Sequence, residues 1–403
     1  MPSALRTLLA AKSISTLGNQ ITLVALPLTA ILFLHATPFQ MGLLAGAGTL
    51  PGVLFGLLAG VAIEPLPKRA ILLAANLASA ALLALIPISH AIQLLSFGLL
   101  VAINFTAAGI ANTEGIALMS FLAAIVPKPQ LATANSQYAA LTSATAVIGP
   151  ALAGLLVALL TAPGAISLDA STFLAASALM LFLPSTPTTP PETTESITTR
   201  LRTGLDFTFS HPVIRLFTLF AIAINTFGSG IAALQALFIV KQLGVPTTWY
   251  GATLAAAGIG AIGGALISGR AARRLNINAL LAGVIAIDIV ADGIICSLHG
   301  APLHAAAGFA AAQLVNGIGN GLLGAAVMTY IQTSTPPEIL ARVIGALTTI
   351  LSASVPLGAL AAGAIGNAIG LRPTLILETA GFAVTLAVVL ITAKQSLLKS
   401  PTA

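Results

Sequence analysis

The chain has 403 residues, 57% of them hydrophobic and only 6% charged, with a net charge of +6 and a mean hydropathy of +1.04. A soluble domain carries roughly 25% charged residues, so this composition cannot cover a water-facing surface. A soluble enzyme, a nucleic-acid module and a disordered tail are thereby excluded; the basic residues form no stripe that a polyanion could track.

Pro, Gly and charged residues divide the chain into twelve apolar runs, each long enough as a helix to cross a hydrocarbon core about 30 Å thick. The first six are predicted at 14–34, 39–62, 70–89, 93–118, 136–160 and 165–183. The second six are predicted at 213–239, 248–268, 278–297, 304–331, 343–366 and 371–393. The runs are continuous and rich in Leu and Ala, which predicts helices and not the alternating strands of a membrane barrel. The run that follows Arg6 and Lys12 lacks a cleavage site and is predicted as a retained first span. Residues 184–212, with Pro184, Pro187, Pro190 and Pro191 among many Thr, are the one long polar stretch. They are predicted as a semi-rigid cytoplasmic linker between a six-helix bundle over 1–183 and another over 213–403.

Orientation follows from the basic residues near span ends. With the N-terminus cytoplasmic, only Lys241 and Arg372 of the 16 Lys and Arg fall on the outer side. Both termini are therefore predicted inside, in a bacterial-type inner (plasma) membrane. The lone cysteine, Cys296, lies within an apolar run and reads as a packing residue.

The two halves match at a constant offset of 209. Gly42 and Gly60 fall on Gly251 and Gly269, and Pro127 and Leu131 on Pro336 and Leu340. Gly149 and Gly154 fall on Gly358 and Gly363, and Asp169 and Phe173 on Glu378 and Phe382. Helix pairs sharing one register, with a matched pair of acids, indicate a duplication. Six is an even number, so both copies enter the membrane from the same side and are parallel repeats, an arrangement used by transporters that alternate access.

The fifth span reads Ile148-Gly149-Pro150-Ala151-Leu152-Ala153-Gly154. Pro150 removes a backbone donor, and the small residues let a neighbouring backbone approach. In the fifth of twelve spans this resembles the antiporter motif of major facilitator superfamily exporters, with Gly149, Pro150 and Gly154 at the matching positions. The loop after span 2 holds Gly60, Glu64, Lys68 and Arg69, which resembles the superfamily's loop 2–3 gating signature. Here Pro65 stands for the usual basic residue and Pro67 for the usual glycine. Gly18-Asn19-Gln20-Ile21-Thr22, Leu168-Asp169-Ala170-Ser171-Thr172-Phe173, His211-Pro212-Val213-Ile214-Arg215 and Asn316-Gly317-Ile318-Gly319-Asn320-Gly321 are similar to the macrolide-efflux and enterobactin-exporter branch. The resemblance implies a secondary transporter, with a cavity lined by the first helix of each three-helix unit.

Five of the ten acids fall within predicted spans: Glu114, Asp169, Asp288, Asp292 and Glu378. A charge at bilayer depth costs at least about 2.5–3.5 kcal/mol, so each needs a partner, water or a proton. Glu114, on a span that lines the cavity in the resembled fold, is the first proton-coupling candidate; the competing reading is an interfacial acid in water. Asp288 and Asp292, four apart on one helical face, come next, with inter-helix hydrogen bonding as the alternative. Asp169 and Glu378, related by the repeat, read as structural. Amides gather in the spans that the resemblance places at the cavity: Asn19, Gln20, Asn104, Asn112, Asn225, Gln235, Gln313, Asn316 and Asn320. With Phe105, Phe227 and Tyr330 they suit a mostly apolar organic solute, and ordinary helix–helix hydrogen bonding is the alternative.

No Walker A sequence, metal-ligand spacing or nucleophilic triad is present, so no cofactor or metal is expected. The expectation is an all-α membrane protein of twelve transmembrane helices in two repeat-related bundles. It would act as a monomer, exporting a small drug-like or siderophore-like molecule by proton antiport. An importer or lipid flippase on the same fold, or a non-transporting sensor or scaffold, remain the alternatives.

Overall fold

The computed structural model describes residues 3–63, 65–185, 197–274 and 277–398. These form fourteen α-helices, a 3-10 turn and one π-helical segment, with no strand among the described residues. Helices are what a membrane demands, because every backbone donor and acceptor is then paired within its own segment. Ten stretches of the described residues are long and apolar enough to span.

The chain divides into two compact units. The first comprises Met1–Thr37, Leu43–Glu195 and Thr247–Ala252. It contains α1 (Ser3–Phe33), the second half of α2 (Pro38–Ala47), α3 (Leu50–Ile63), α4 (Lys68–Ala91), α5 (Phe97–Ile125), α6 (Leu131–Leu160) and α7 (Ala162–Met180). α1 packs along α6 and α7, and α4 along α5 and α7. Leu5, Leu8 and Ala11 of α1 meet Leu72 of α4, Phe121 and Leu122 of α5 and Met180 of α7 in its main core.

The second unit comprises Pro38–Gly42, Ser196–Pro246 and Thr253–Ala403. It contains α8 (Ile197–Ser210), α9 (Pro212–Ala236) with its π-helical continuation Leu237–Gln242, and α10 (Thr247–Arg274) from Thr253 onward. α11 (Ile277–Ser297), α12 (Pro302–Ser334), α13 (Pro337–Ile369) and α14 (Leu371–Leu398) complete it. α9 packs on α13 and α14, and α11 on α12 and α14.

Three sequence expectations change. α1 begins at Ser3 and not near residue 14, because Leu5, Leu8 and Ala11 are core residues and Lys12 has a partner inside the unit. The span predicted over 39–62 is broken at Gly48 and Thr49, between α2 and α3. Pro51 accounts for the break: it has no N–H to offer the preceding turn, and its ring opposes the carbonyl four residues back. The matching position in the second copy is Gly260, and α10 runs through it unbroken. Finally, part of 184–212 is not solvated linker but helix. α8 lies along α13 with Thr208 buried and Phe207 against Ile214, Val343 and Leu347; residues 186–196 lie outside the described set.

The duplication recurs in the backbone. α6 and α7 are joined by the single residue Thr161 at φ +68°, and α13 and α14 by Gly370 at φ +93°. These positions are again 209 apart, and both combine a positive φ with an extended ψ of 166°, the sparsely populated conformation that ends one helix and starts the next.

α10 and α12 approach backbone to backbone. A Cβ on Gly317 would lie 2.0 Å from the Ala257 carbonyl oxygen, and one on Gly321 would lie 2.1 Å from that of Ala261. Gly263, by contrast, has nothing within 4 Å. Gly321→Val should therefore destabilise the protein by about 2 kcal/mol or more through forced separation of the helices. Gly263→Ala should be neutral or slightly stabilising, since Ala is the better helix former. Thermal unfolding in detergent distinguishes the two.

Candidate functional site

Membrane-embedded acids are the groups that can do chemistry in this chain, and the first unit pairs the ones it holds. Glu114 on α5 is buried and forms an ion pair with Lys12 of α1, Nζ to Oε1 at 2.9 Å. Asn76 of α4 donates to the same oxygen at 2.7 Å. Three helices thus meet on one carboxylate, beside the core formed by Ala11, Leu72, Ala117 and Leu118. Glu114 is not an interfacial acid in water. The sequence marks the acid but neither partner, because Lys12 precedes the predicted first span and reads there as a flanking charge.

Asp169 on α7 is fully buried and takes hydrogen bonds from two hydroxyls, those of Thr22 and Thr172. Gly18 of α1 makes this possible: a Cβ there would collide with Thr172 Oγ1 and Asp169 Oδ1. The two motifs Gly18–Thr22 and Leu168–Phe173 are therefore two sides of one helix contact.

In the second unit Asp288 and Asp292 are each 4% exposed. Asp288 accepts from Asn316 Nδ2 at 3.3 Å, and Asn316 Oδ1 accepts from Asn320 Nδ2 at 2.8 Å. Among the described residues neither aspartate has a cation within ion-pair distance.

The amides expected to line a cavity have diverse surroundings. Asn19 and Asn320 are exposed, while Gln20, Asn104, Asn112, Asn225, Gln235, Gln313 and Asn316 are half-buried. Asn104 donates to the Leu44 carbonyl at 2.8 Å, just ahead of the α2–α3 break. Asn112 lies against Gly52 and Gly56 of α3, and Gln20 lies against Gly149 of α6.

Gly149, Pro150 and Gly154 sit within α6 and are all buried. A Cβ on Gly154 would lie 2.8 Å from Gly251 Cα, so these helices touch through their backbones. Of the gating loop, Gly60 is in α3 and Glu64 lies outside the described residues. Lys68 Nζ donates to the carbonyls of Ile63 at 2.7 Å and Leu66 at 3.1 Å. Arg69 donates to those of Met180 and Leu181 at the end of α7. Both cations cap helix C-termini, where the backbone carbonyls carry partial negative charge.

Comparison with known proteins gives one family and a set of relatives. The model of the Major Facilitator Superfamily matches residues 8–354. An uncharacterized MFS-type transporter of Bacillus subtilis, YfiS, is 26% identical over 91% of this chain and 87% of its own length. The multidrug efflux pump Tap of Mycolicibacterium fortuitum is 29% identical over 89% of this chain and 88% of its own. Among solved structures, the nucleoside transporter NupG has a TM-score of 0.78 at 13% identity, covering 97% of this chain and 99% of that one. A bacterial homolog of the human lysosomal transporter Spinster, inward-facing, has a TM-score of 0.74 at 15% identity, covering 99% and 98%. At these identities the structures speak for the fold alone.

The ion pair generates a stability prediction. Lys12→Ala leaves Glu114 buried without its cation and should cost about 3–5 kcal/mol. Replacing both residues, Lys12→Met with Glu114→Met, should recover most of that loss. Thermal unfolding of the single and double variants in detergent reads both effects.

Proposed function

We propose that this chain, which belongs to the Major Facilitator Superfamily, exports a small and largely apolar organic molecule by proton antiport. Family and relatives are transporters and not enzymes, and the chain is a multi-pass membrane protein with a small-molecule substrate. The observation that carries the export reading is the 29% identity, along nearly the whole chain, with a protein named as a multidrug efflux pump. The fifth-span sequence, with Gly149 against the Gln20 side chain and with Pro150 and Gly154 in close backbone contact with Gly251, supports it.

The finer reading has twelve spans. α7 and α12 join the ten apolar stretches, their hydropathy lowered by Asp169 and its neighbouring hydroxyls and by Gln313, Asn316 and Asn320. In this reading bundles over 1–183 and 213–403 flank a cytoplasmic segment, both termini are cytoplasmic, and a monomer works in the inner membrane by alternating access. Asn19, Asn112, Asn225, Gln235 and Gln313 remain the amides offered to substrate. Lys68 and Arg69, with Gly60 and Glu64, serve the gate.

For coupling, geometry ranks the acids. Glu114 already has a cation and an amide donor, so a proton arriving there must displace Lys12. Among the described residues Asp288 and Asp292 have no counter-charge to displace, and they take first place. Import or lipid flipping on the same fold differs only in the direction or nature of the solute.

Efflux of lipophilic dyes and antibiotics from cells expressing the protein tests this. Wild type should export at least one compound in a protonophore-sensitive way. Asp288→Asn combined with Asp292→Asn should reduce that export on the order of tenfold at unchanged expression, as loss of an essential protonation group does. Export that survives the double variant moves coupling to Glu114. Accumulation of the compounds instead of efflux overturns the export reading.

A further inference from the structure

The second unit holds more acid than the coupling pair. Asp288 and Asp292 lie one turn apart on α11, and Glu378 lies on the adjoining α14, next to Thr379, which meets Cys296 one turn beyond Asp292. Exposure is 4% for each aspartate and 6% for the glutamate. Asp288 has the single contact with Asn316, while Asp292 and Glu378 have no hydrogen-bond partner among the described residues. Two buried carboxyls without a hydrogen-bond partner among the described residues thus lie on adjoining helices.

The surrounding charges do not answer them. Arg372 of α14 donates to the carbonyls of Cys296 and Leu298 and lies 5.1 Å from the ring centre of Phe238. Cys296, one turn beyond Asp292, has its Sγ 3.6 Å from Thr379 Oγ1. From α12 comes the Asn316 amide, and from α9 comes Gly230, where a Cβ would lie 2.9 Å from Glu378 Oε1.

The duplication supplies an internal control. Glu378 corresponds to Asp169, whose carboxylate is held by the hydroxyls of Thr22 and Thr172. At an offset of 209 those threonines become Ile231 and Gly381, so the second copy has lost both donors. Asp288 and Asp292 correspond to Ser79 and Leu83, so the second copy has also gained two acids. Packing alone explains neither change, since the first copy packs the same helices without them.

We infer that Asp288, Asp292 and Glu378 form one proton-holding site within the second unit, bordered by Asn316 and Asn320. Each uptake adds a proton to a carboxylate oxygen and removes one negative charge; no other bond changes. Asn320 is exposed, donates to Asn316, and Asn316 donates to Asp288, so an uninterrupted hydrogen-bonded file reaches the acids from the molecular surface. Amides donate and accept without titrating, so they border the site and leave the charge to the carboxyls. Among the described residues no three His, Cys, Asp or Glu converge tightly enough for a metal ion. Glu378 thereby changes from a structural acid to a third member of the coupling group. The inference rests on the antiport reading for its role in transport but not for its existence.

Dicyclohexylcarbodiimide modifies carboxylic acids in apolar surroundings through their protonated form, and mass spectrometry locates the adducts. In purified full-length protein at about pH 6, adducts are expected on at least one of the three acids, declining roughly fivefold by about pH 9 as protons are lost. Glu378→Gln should reduce labelling of Asp292 at about pH 7.5 roughly threefold, because removing one like charge changes how the remaining groups share protons. Absence of adducts on all three acids at about pH 6 overturns the site, and so does Asp292 labelling indifferent to Glu378→Gln. The wild-type measurement needs no variant to fold. Labelling also needs no substrate, so pH-dependent adducts alongside protonophore-insensitive efflux would keep the site and remove the antiport reading.

Discussion

A carboxylate among lipid-facing helices must find a cation, a set of hydrogen-bond donors or a proton, and this chain uses a different answer at each place it buries one. Glu114 finds a cation, Lys12, and an amide, Asn76. Asp169 finds two hydroxyls. Asp288, Asp292 and Glu378 find neither a cation nor enough donors among the described residues. The first two answers fix helices to one another, because removing a partner strands a buried charge. The third fixes nothing and leaves the site free to change its proton content.

Duplication makes these differences readable as choices. In the second copy the positions of Lys12, Asn76 and Glu114 are Ala221, Ile285 and Leu323, so the ion pair and its amide are replaced together by apolar residues. That joint replacement is the physically cheap one, since a half-removed buried pair is costlier than none. The helix break at Gly48 and Thr49 likewise belongs to one copy, following Pro51. What both copies retain is geometric: the positive-φ single-residue joints at Thr161 and Gly370, and the small residues Gly149, Gly154, Gly358 and Gly363.

Most of the architecture is legible in the sequence because hydrophobic run length and the membrane's demand for paired backbone admit few alternatives. The repeat was visible for the same reason, as glycines and prolines at a constant offset mark backbone geometry. Partnerships were not visible. Lys12 reads as a flanking charge until its distance to Glu114, 102 positions away, is known. α8 is masked by its composition: Ile197–Ser210 is polar on average, although its apolar residues recur on one helical face, and the packing on α13 shows what that face meets. The three-acid group was half seen: spacing on α11 put Asp288 and Asp292 together, but nothing local could bring Glu378 to them.

The segment Asn316-Gly317-Ile318-Gly319-Asn320-Gly321 shows why such a site can sit where it does. Residues two apart on a helix project about 200° apart. Gly317 and Gly321 accordingly face α10, against Ala257 and Ala261, while Gly319 faces α11 within reach of Ile287 and Asp288. Glycine on two nearly opposite sides lets one helix close on two neighbours at once. With side chains removed from both seams, the amides are the polar groups left to meet the acids of α11. Asn316 does so from one turn before Asn320, which is why a one-turn file leads from the exposed surface to a carboxyl that is otherwise enclosed. Spacing alone placed both asparagines on one helical face; the glycines decide which neighbour that face meets.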